Sequence, residues 1–156
     1  MRILMIGLTL CLAAAAQPAQ QAKPFASAAD VQALMEKAKQ TRKANQPLVS
    51  QPIVSAAPFT ANLESRNAVA TASVHEKEAE MFYIVEGSGT MVTGGKLVGE
   101  TRNGDNLTGS AIEGGAARQI AKGDFVMVPE GTPHWFSKID GTLQLMSIHL
   151  PRTAAK

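Results

Sequence analysis

Three histidines occur in the chain, at positions 75, 134 and 149, and one acidic residue, Glu80, sits where strand periodicity can turn it inward. The run Thr71-Ala72-Ser73-Val74-His75 alternates, so Thr71, Ser73 and His75 share one strand face. Glu80, Phe82 and Ile84 share a face of the next apolar segment, while Met81, Tyr83 and Val85 take the other. A bend over Glu76 to Ala79 brings the imidazole of His75 and the carboxylate of Glu80 onto one interior. His134 follows Pro129-Glu130-Gly131-Thr132-Pro133, a rigid turn that aims its side chain back into the same interior before Trp135 and Phe136 resume the strand. Two imidazoles and one carboxylate on one face suit a divalent first-row metal and leave coordination positions open to substrate or water. Glu80 left unpaired in an apolar interior would carry a large desolvation penalty, so its inward phase itself calls for a metal or a positive partner. His149, just before Leu150-Pro151, reads as a structural hydrogen-bonding residue, and Glu76 and Glu78 read as part of a solvated bend. Phe82, Phe125, Trp135 and Phe136 read as core. Phe82 and Phe136 are also candidates for the floor of a substrate pocket, Phe136 because it shares strand parity with His134.

These side chains need a β framework to position them. Leu48-Val49, Ile53-Val54, Ala68 to Val74, Met81 to Val85, Thr90 to Val92, Phe125 to Val128 and Leu143 to Ile148 are short apolar or alternating segments separated by turn residues. Seven or more such strands around one core predict a sandwich or small barrel. Pro129, Gly131 and Gly87-Ser88-Gly89 are expected to supply its sharp turns. Ahead of the strands, Val31, Leu34, Met35 and Ala38 recur at helical spacing, with Ser27 in the capping position, which predicts one amphipathic helix within residues 27–46. Residues 94–123 hold eight glycines in thirty positions and read as a long, weakly patterned loop.

At 156 residues the chain permits one compact domain. Fifteen basic against thirteen acidic residues leave a formal charge of +2, too little for the dense cationic surface of a nucleic-acid binder. Residues 1–16 read as a signal peptide, with Arg2, an apolar run from Ile3 to Leu12 and small residues to a cleavage point after Ala16. The run is too short for a membrane anchor, and Leu10 before Cys11 argues against lipid attachment. The expected location is secreted or periplasmic, with no membrane association after cleavage. The mature chain then lacks cysteine and with it any disulfide, thiolate zinc site or cysteine nucleophile. Residues 17–26, rich in Gln, Ala and Pro, read as a flexible spacer.

The segment Gly123-Asp124-Phe125-Val126-Met127-Val128-Pro129-Glu130-Gly131-Thr132-Pro133-His134 resembles the second motif of the cupin superfamily, G-x5-P-x-G-x2-H, with Lys138 where the motif ends in Asn. His75-x4-Glu80-x6-Gly87 resembles the second half of the first motif, H-x-H-x3,4-E-x6-G. Ser73 stands where the first histidine of that motif belongs, and Asn67 replaces its leading glycine. The resemblance covers residues 48–150 and implies an all-β double-stranded β-helix, a jelly-roll barrel, with a metal at its centre. It implies His75, Glu80 and His134 as metal ligands and Ser73 as a pocket residue that meets a metal-bound water or the substrate. Fe(II), Mn(II), Ni(II), Co(II) and Zn(II) are the candidate ions.

Two functions fit these expectations. One is a metal-dependent enzyme acting on a small organic acid or phenolic molecule, an oxidoreductase of dioxygenase type or a lyase or isomerase, with Glu80 and Ser73 at the reacting centre. The other is a non-catalytic module that captures a small ligand or metal. A homodimer is the expected assembly, with the N-terminal helix packed on a partner barrel. Arg102, Arg118 and Lys122 read as surface charge, and Lys138 is placed near the barrel mouth.

Overall fold

The computed structural model describes residues 22–152. One helix, α1 (Ala28–Thr41), precedes eleven strands: β1 (Leu48–Ala56), β2 (Phe59–Arg66), β3 (Ala72–His75), β4 (Glu78–Thr93), β5 (Lys96–Val98), β6 (Thr101–Asn103), β7 (Asn106–Gly109), β8 (Ala111–Glu113), β9 (Ala116–Ala121), β10 (Phe125–Val128) and β11 (His134–Pro151). Two long strands organise the rest. β4 and β11 run antiparallel along nearly their whole length, from Pro151 opposite Glu78 to His134 opposite Thr93. The first half of this ribbon is flanked by β2 and β10, with β1 outside β2. The second half is flanked by β3 and β9, with β7 and β6 beyond β3. The ribbon therefore belongs to both faces of a jelly-roll barrel, the architecture that the cupin resemblance implies and one form of the sandwich or small barrel that the alternating segments predict.

A crease separates the halves. Gly87 has φ 88°, and a Cβ there would lie 2.1 Å from the Thr142 carbonyl oxygen; a Cβ on Gly89 would lie 2.4 Å from that of Lys138. The glycine segment expected as a turn is thus the interior of one continuous strand. Its glycines let two backbones meet where the ribbon folds. Gly87→Ala, strained and clashing with main chain, is expected to cost at least about 2 kcal/mol and to lower Tm by roughly 5–10 °C in a thermal melt.

The inward set changes parity across the crease. In β4 it is Glu80, Phe82 and Ile84 before and Met91 after; in β11 it is His134 and Phe136 before and Leu143, Leu145 and Ser147 after. Register shifts between Phe136 and Lys138 and between Asp140 and Leu145 accommodate the change. Phe82, Ile84, Met91, Ile120, Val128, Phe136, Leu143 and Leu145 form the core, each 3% exposed or less. Further along the interior, Arg66 pairs with Glu64 at 2.5 Å, and its guanidinium lies 4.3 Å from the centre of the Phe136 ring. Both charged side chains are largely buried, so the cation–π contact and the ion pair compensate their desolvation together.

Helix α1 starts at a capping box: the Asp30 amide donates to Ser27 Oγ at 3.1 Å, and the Ser27 amide donates to Asp30 Oδ2 at 2.8 Å. Its apolar stripe, Val31, Leu34 and Met35, packs on Ile53, Leu63, Val54 and Met146 of its own chain. That face is covered within its own chain. The segment expected as spacer meets the sheet, Lys23 exchanging two backbone hydrogen bonds with Ser55. The expected signal peptide lies outside the described residues. Among those residues no helix is long and apolar enough to cross a membrane.

Two further expectations are corrected. The glycine-rich stretch is not a featureless loop: it forms β5 to β9, of which β5 and β8 pair as a separate ribbon over β7. There a Cβ on Gly109 would touch Leu97. Phe125 is not core. It is 67% exposed and stacks on Tyr83, ring centres 4.6 Å apart, because β10 keeps only Val126 and Val128 toward the interior.

Candidate metal centre

The first half of the ribbon supplies Glu80, and the second half supplies His134. β3, paired with β11 at Ser73 opposite His134, adds His75 two residues later on the same face. The three converge. Glu80 Oε2 lies 3.1 Å from His134 Nε2 and 3.3 Å from His75 Nε2. One ligand atom from each residue can be chosen so that all lie within 4.8 Å of one another. The residues that sequence spacing picked out are therefore brought together, and Glu80 faces inward as strand phase requires.

Each imidazole is oriented from behind. His134 Nδ1 donates to the Thr132 carbonyl at 3.1 Å, and His75 Nδ1 donates to Asn106 Oδ1 at 2.7 Å. With Nδ1 so engaged, each ring turns Nε2 toward the centre, the atom that would ligate a metal once it has given up its proton. Asn106 is available because β7 pairs with β3 in the register that sets it opposite His75.

The charge balance of the metal-free site follows from burial. Glu80 is 4% exposed, and desolvation alone would raise its carboxyl pKa; hydrogen bonds from His134, His75 and Ser147 outweigh that and hold it well below the ordinary carboxylate range. The hydrogen bond to Glu80 pushes His75 up to about 9 against its own desolvation, with Asn106 and the negative charges of Glu80 and Glu78 adding to the rise. The site thus holds a buried anion that draws cationic partners to it. A donor set of two nitrogens and one charged oxygen fits a divalent cation chemically.

Around this set lie residues whose part the sequence did not disclose. Glu78 belongs to the site and not to a solvated bend: its carboxylate accepts from His149 Nδ1 at 2.7 Å and stands 3.7 Å from His75 Nδ1. His149 likewise reaches the centre, its Nε2 3.6 Å from Glu80 Oε1. Fully buried Ser147 donates its hydroxyl hydrogen to Glu80 Oε1 and lies 3.2 Å from His149 Nε2. The available signal was register: His149 stands directly opposite Glu80 in the β4–β11 pairing.

The remaining candidates sort by depth. Ser73 is half-buried beside His134, on the face that carries His75. Phe82 packs under the centre, 5.9 Å from the His134 ring, and Phe136 lies one step deeper, 5.2 Å from Phe82. Arg102 pairs with Glu76 at 2.6 Å on the surface. Lys138 is corrected from the barrel mouth to an exposed pair with Asp140 at 2.7 Å. A cleft of about 190 Å³ between β9 and β10, lined by Met91, Thr93, Arg118, Ile120, Phe125, Val126 and Met127, is separate from the histidine cluster.

A family model described as cupin matches residues 36–149. Among solved structures, BH2720 from Bacillus halodurans superposes with a TM-score of 0.55 at 14% identity, covering 85% of this chain and 85% of that one. Fe(II) HppE gives 0.52 at 17% identity over 70% of this chain and 54% of that one. Hydroxypropylphosphonic acid epoxidase from S. wedmorenis gives 0.51 at 17% identity, over 67% and 51%. The chain spans about half the length of the last two. At these identities the likeness is one of fold. No curated protein matches the chain by sequence.

Proposed function

Because the chain belongs to the cupin family, we propose that His75, Glu80 and His134 hold one divalent metal ion, and that this centre acts on a small organic acid or phenolic molecule. The observation that supports the reading is the meeting of two Nε2 atoms at 3.1 and 3.3 Å from a single buried carboxylate oxygen. Fe(II), the metal named for HppE, is one candidate; Mn(II), Ni(II), Co(II) and Zn(II) satisfy the same donors. When bound, such an ion supplies Lewis acidity toward a carboxylate or phenolate oxygen and, if it is iron, redox capacity.

The protein's own residues define how a substrate would approach. Phe82 and the core beneath it close the interior side. His75, Glu78 and His149 retain partial exposure, with side chains 17%, 26% and 22% accessible, so the open rim lies on their side. Ser73, next to His134, offers a hydroxyl that can hold a substrate oxygen or pass a proton to it. Export to the periplasm or beyond, supported by the N-terminal pattern of charge, apolar run and small residues, would place this chemistry outside the cytoplasm. Association as a homodimer would use a surface other than the apolar stripe of α1, which its own chain covers.

Metal analysis of the purified protein, loaded under metal-replete conditions, tests the reading. The wild type is expected to retain about one equivalent and His134→Ala less than about a tenth of that, because outer-shell losses alone already cost about 10- to 100-fold. A metal-free wild type, or a variant that binds as well, would overturn it. A second reading, a binding module without turnover, is favoured by the serine at position 73 and by the filled core beneath the centre. Oxygen uptake and product formation over a panel of small acids and phenols separate the two, since a module returns its ligand unchanged.

A further inference from the structure

Glu80 has two oxygens, and the fold treats them differently. Oε2 faces both imidazoles, while Oε1 is engaged from the opposite side by Ser147. Ser147 does not act alone. His149 Nε2 lies 3.2 Å from its Oγ, and His149 is fixed in turn by the bond from Nδ1 to Glu78 at 2.7 Å. The chain of contacts starts at Glu78, crosses to β11 and returns to Glu80, two residues further along the strand on the same face. A strand side chain with its Cβ fixed still has rotations that could offer one oxygen or both to a cation. The contact to Oε1 opposes the rotation that would turn both inward.

We propose that Ser147, His149 and Glu78 are positioning residues that hold Glu80 as a single-oxygen donor. This builds on the reading of Glu80 as a metal ligand. The arrangement sets the geometry of the centre from outside it, and it accounts for two histidine-strand residues and one carboxylate that the three-ligand set does not use. Orientation of this kind is general in metal sites: groups behind the ligands limit their motion and sharpen the preference for one coordination geometry.

Titration of the full-length protein with Co(II), followed by affinity and by the visible absorption of the ion, tests the assignment. Ser147→Ala and Glu78→Ala are expected to bind about 10- to 100-fold more weakly and to show an altered Co(II) spectrum, because a released carboxylate changes the coordination. Glu78→Gln, whose side-chain oxygen still accepts from His149, is expected to restore affinity and spectrum. Glu78 is partly exposed, so its variants report even if Ser147→Ala does not fold. Wild-type affinity and spectrum in Glu78→Ala, with binding still lost in His134→Ala, would overturn the positioning role and leave the metal reading intact. No Co(II) bound by the wild type would overturn both. A second equivalent of Co(II) that disappears in Glu78→Ala would also overturn the proposal, since Glu78 and His149 would then hold an ion of their own.

Discussion

Glu80→Gln is expected to lower metal affinity by more than about 100-fold while leaving the protein folded. The substitution keeps the shape of the side chain and removes the one negative charge among the described residues that faces both Nε2 atoms. Loss of groups that merely orient a ligand costs about 10- to 100-fold, and loss of the ligand's charge must exceed that. The metal-free protein tolerates the change because the oxygen of the new amide can still accept from Ser147 and its nitrogen can donate to an imidazole Nε2. The substitution also removes the largest cause of the raised His75 pKa. NMR titration of the His75 ring is therefore expected to show a fall toward 6.5 in the variant, and metal analysis of the same sample reads the first effect. Undiminished metal content would mean that the ion is held elsewhere.

Metal affinity of the wild type is expected to rise about tenfold per pH unit between pH 7 and 9 and to level off above. A ligand imidazole must release its proton before it binds a cation, and His75 in the metal-free site titrates at about 9. Near neutrality, binding therefore displaces close to one proton, measurable by calorimetry in buffers of different ionisation enthalpy. Folding of the metal-free protein responds in the opposite direction. The folded-state pKa of His75 is raised above its unfolded value near 6.5, so its contribution is fully present below that pH and is lost as pH rises through about 9. Glu80 is depressed, so its contribution is present above the ordinary carboxylate range and is lost only in strong acid. Metal-free protein should accordingly be more stable at pH 6 than at pH 9.5 as far as this pair is concerned, while metal-loaded protein gains on the alkaline side.

The meeting of His75, Glu80 and His134 was readable because each of them sits where local periodicity holds. Ser73 and His75 alternate in a short strand, Glu80 opens a segment whose inward phase persists through Ile84, and a rigid proline turn delivers His134. The other half of the centre was not readable by the same means. Counting by twos from His134 puts positions 147 and 149 on the outer face, yet both point inward, because the register shifts between Phe136 and Lys138 and between Asp140 and Leu145 break the alternation of β11. No residue type in Lys138-Ile139-Asp140-Gly141-Thr142 announces that shift; it is set by the partner strand, where Gly87 and Gly89 admit the close approach. β2 was missed as a strand for a related reason. Its inward face carries Glu64 and Arg66, charged residues that give no alternating apolar signal, and the Phe136 ring and their mutual pairing make them interior residues. The short strands of the glycine-rich stretch depend on partners as well: β8 pairs with β5 and β7 with β3 and β6, and little in their own sequence requires it.

The folded ribbon has a consequence for how this protein could diversify. Glu80 and His134 ride on opposite limbs of the same two strands, and His75 rides on β3 beside the His134 limb, so the gap between acid and imidazoles depends on the angle at Gly87 and Gly89. Replacements near that corner would widen or narrow the cage without altering any donor, shifting its preference between ions of different radius. Selection for a new metal supply could thus proceed through positions that never meet the ion, with the chemistry-bearing side chains left untouched.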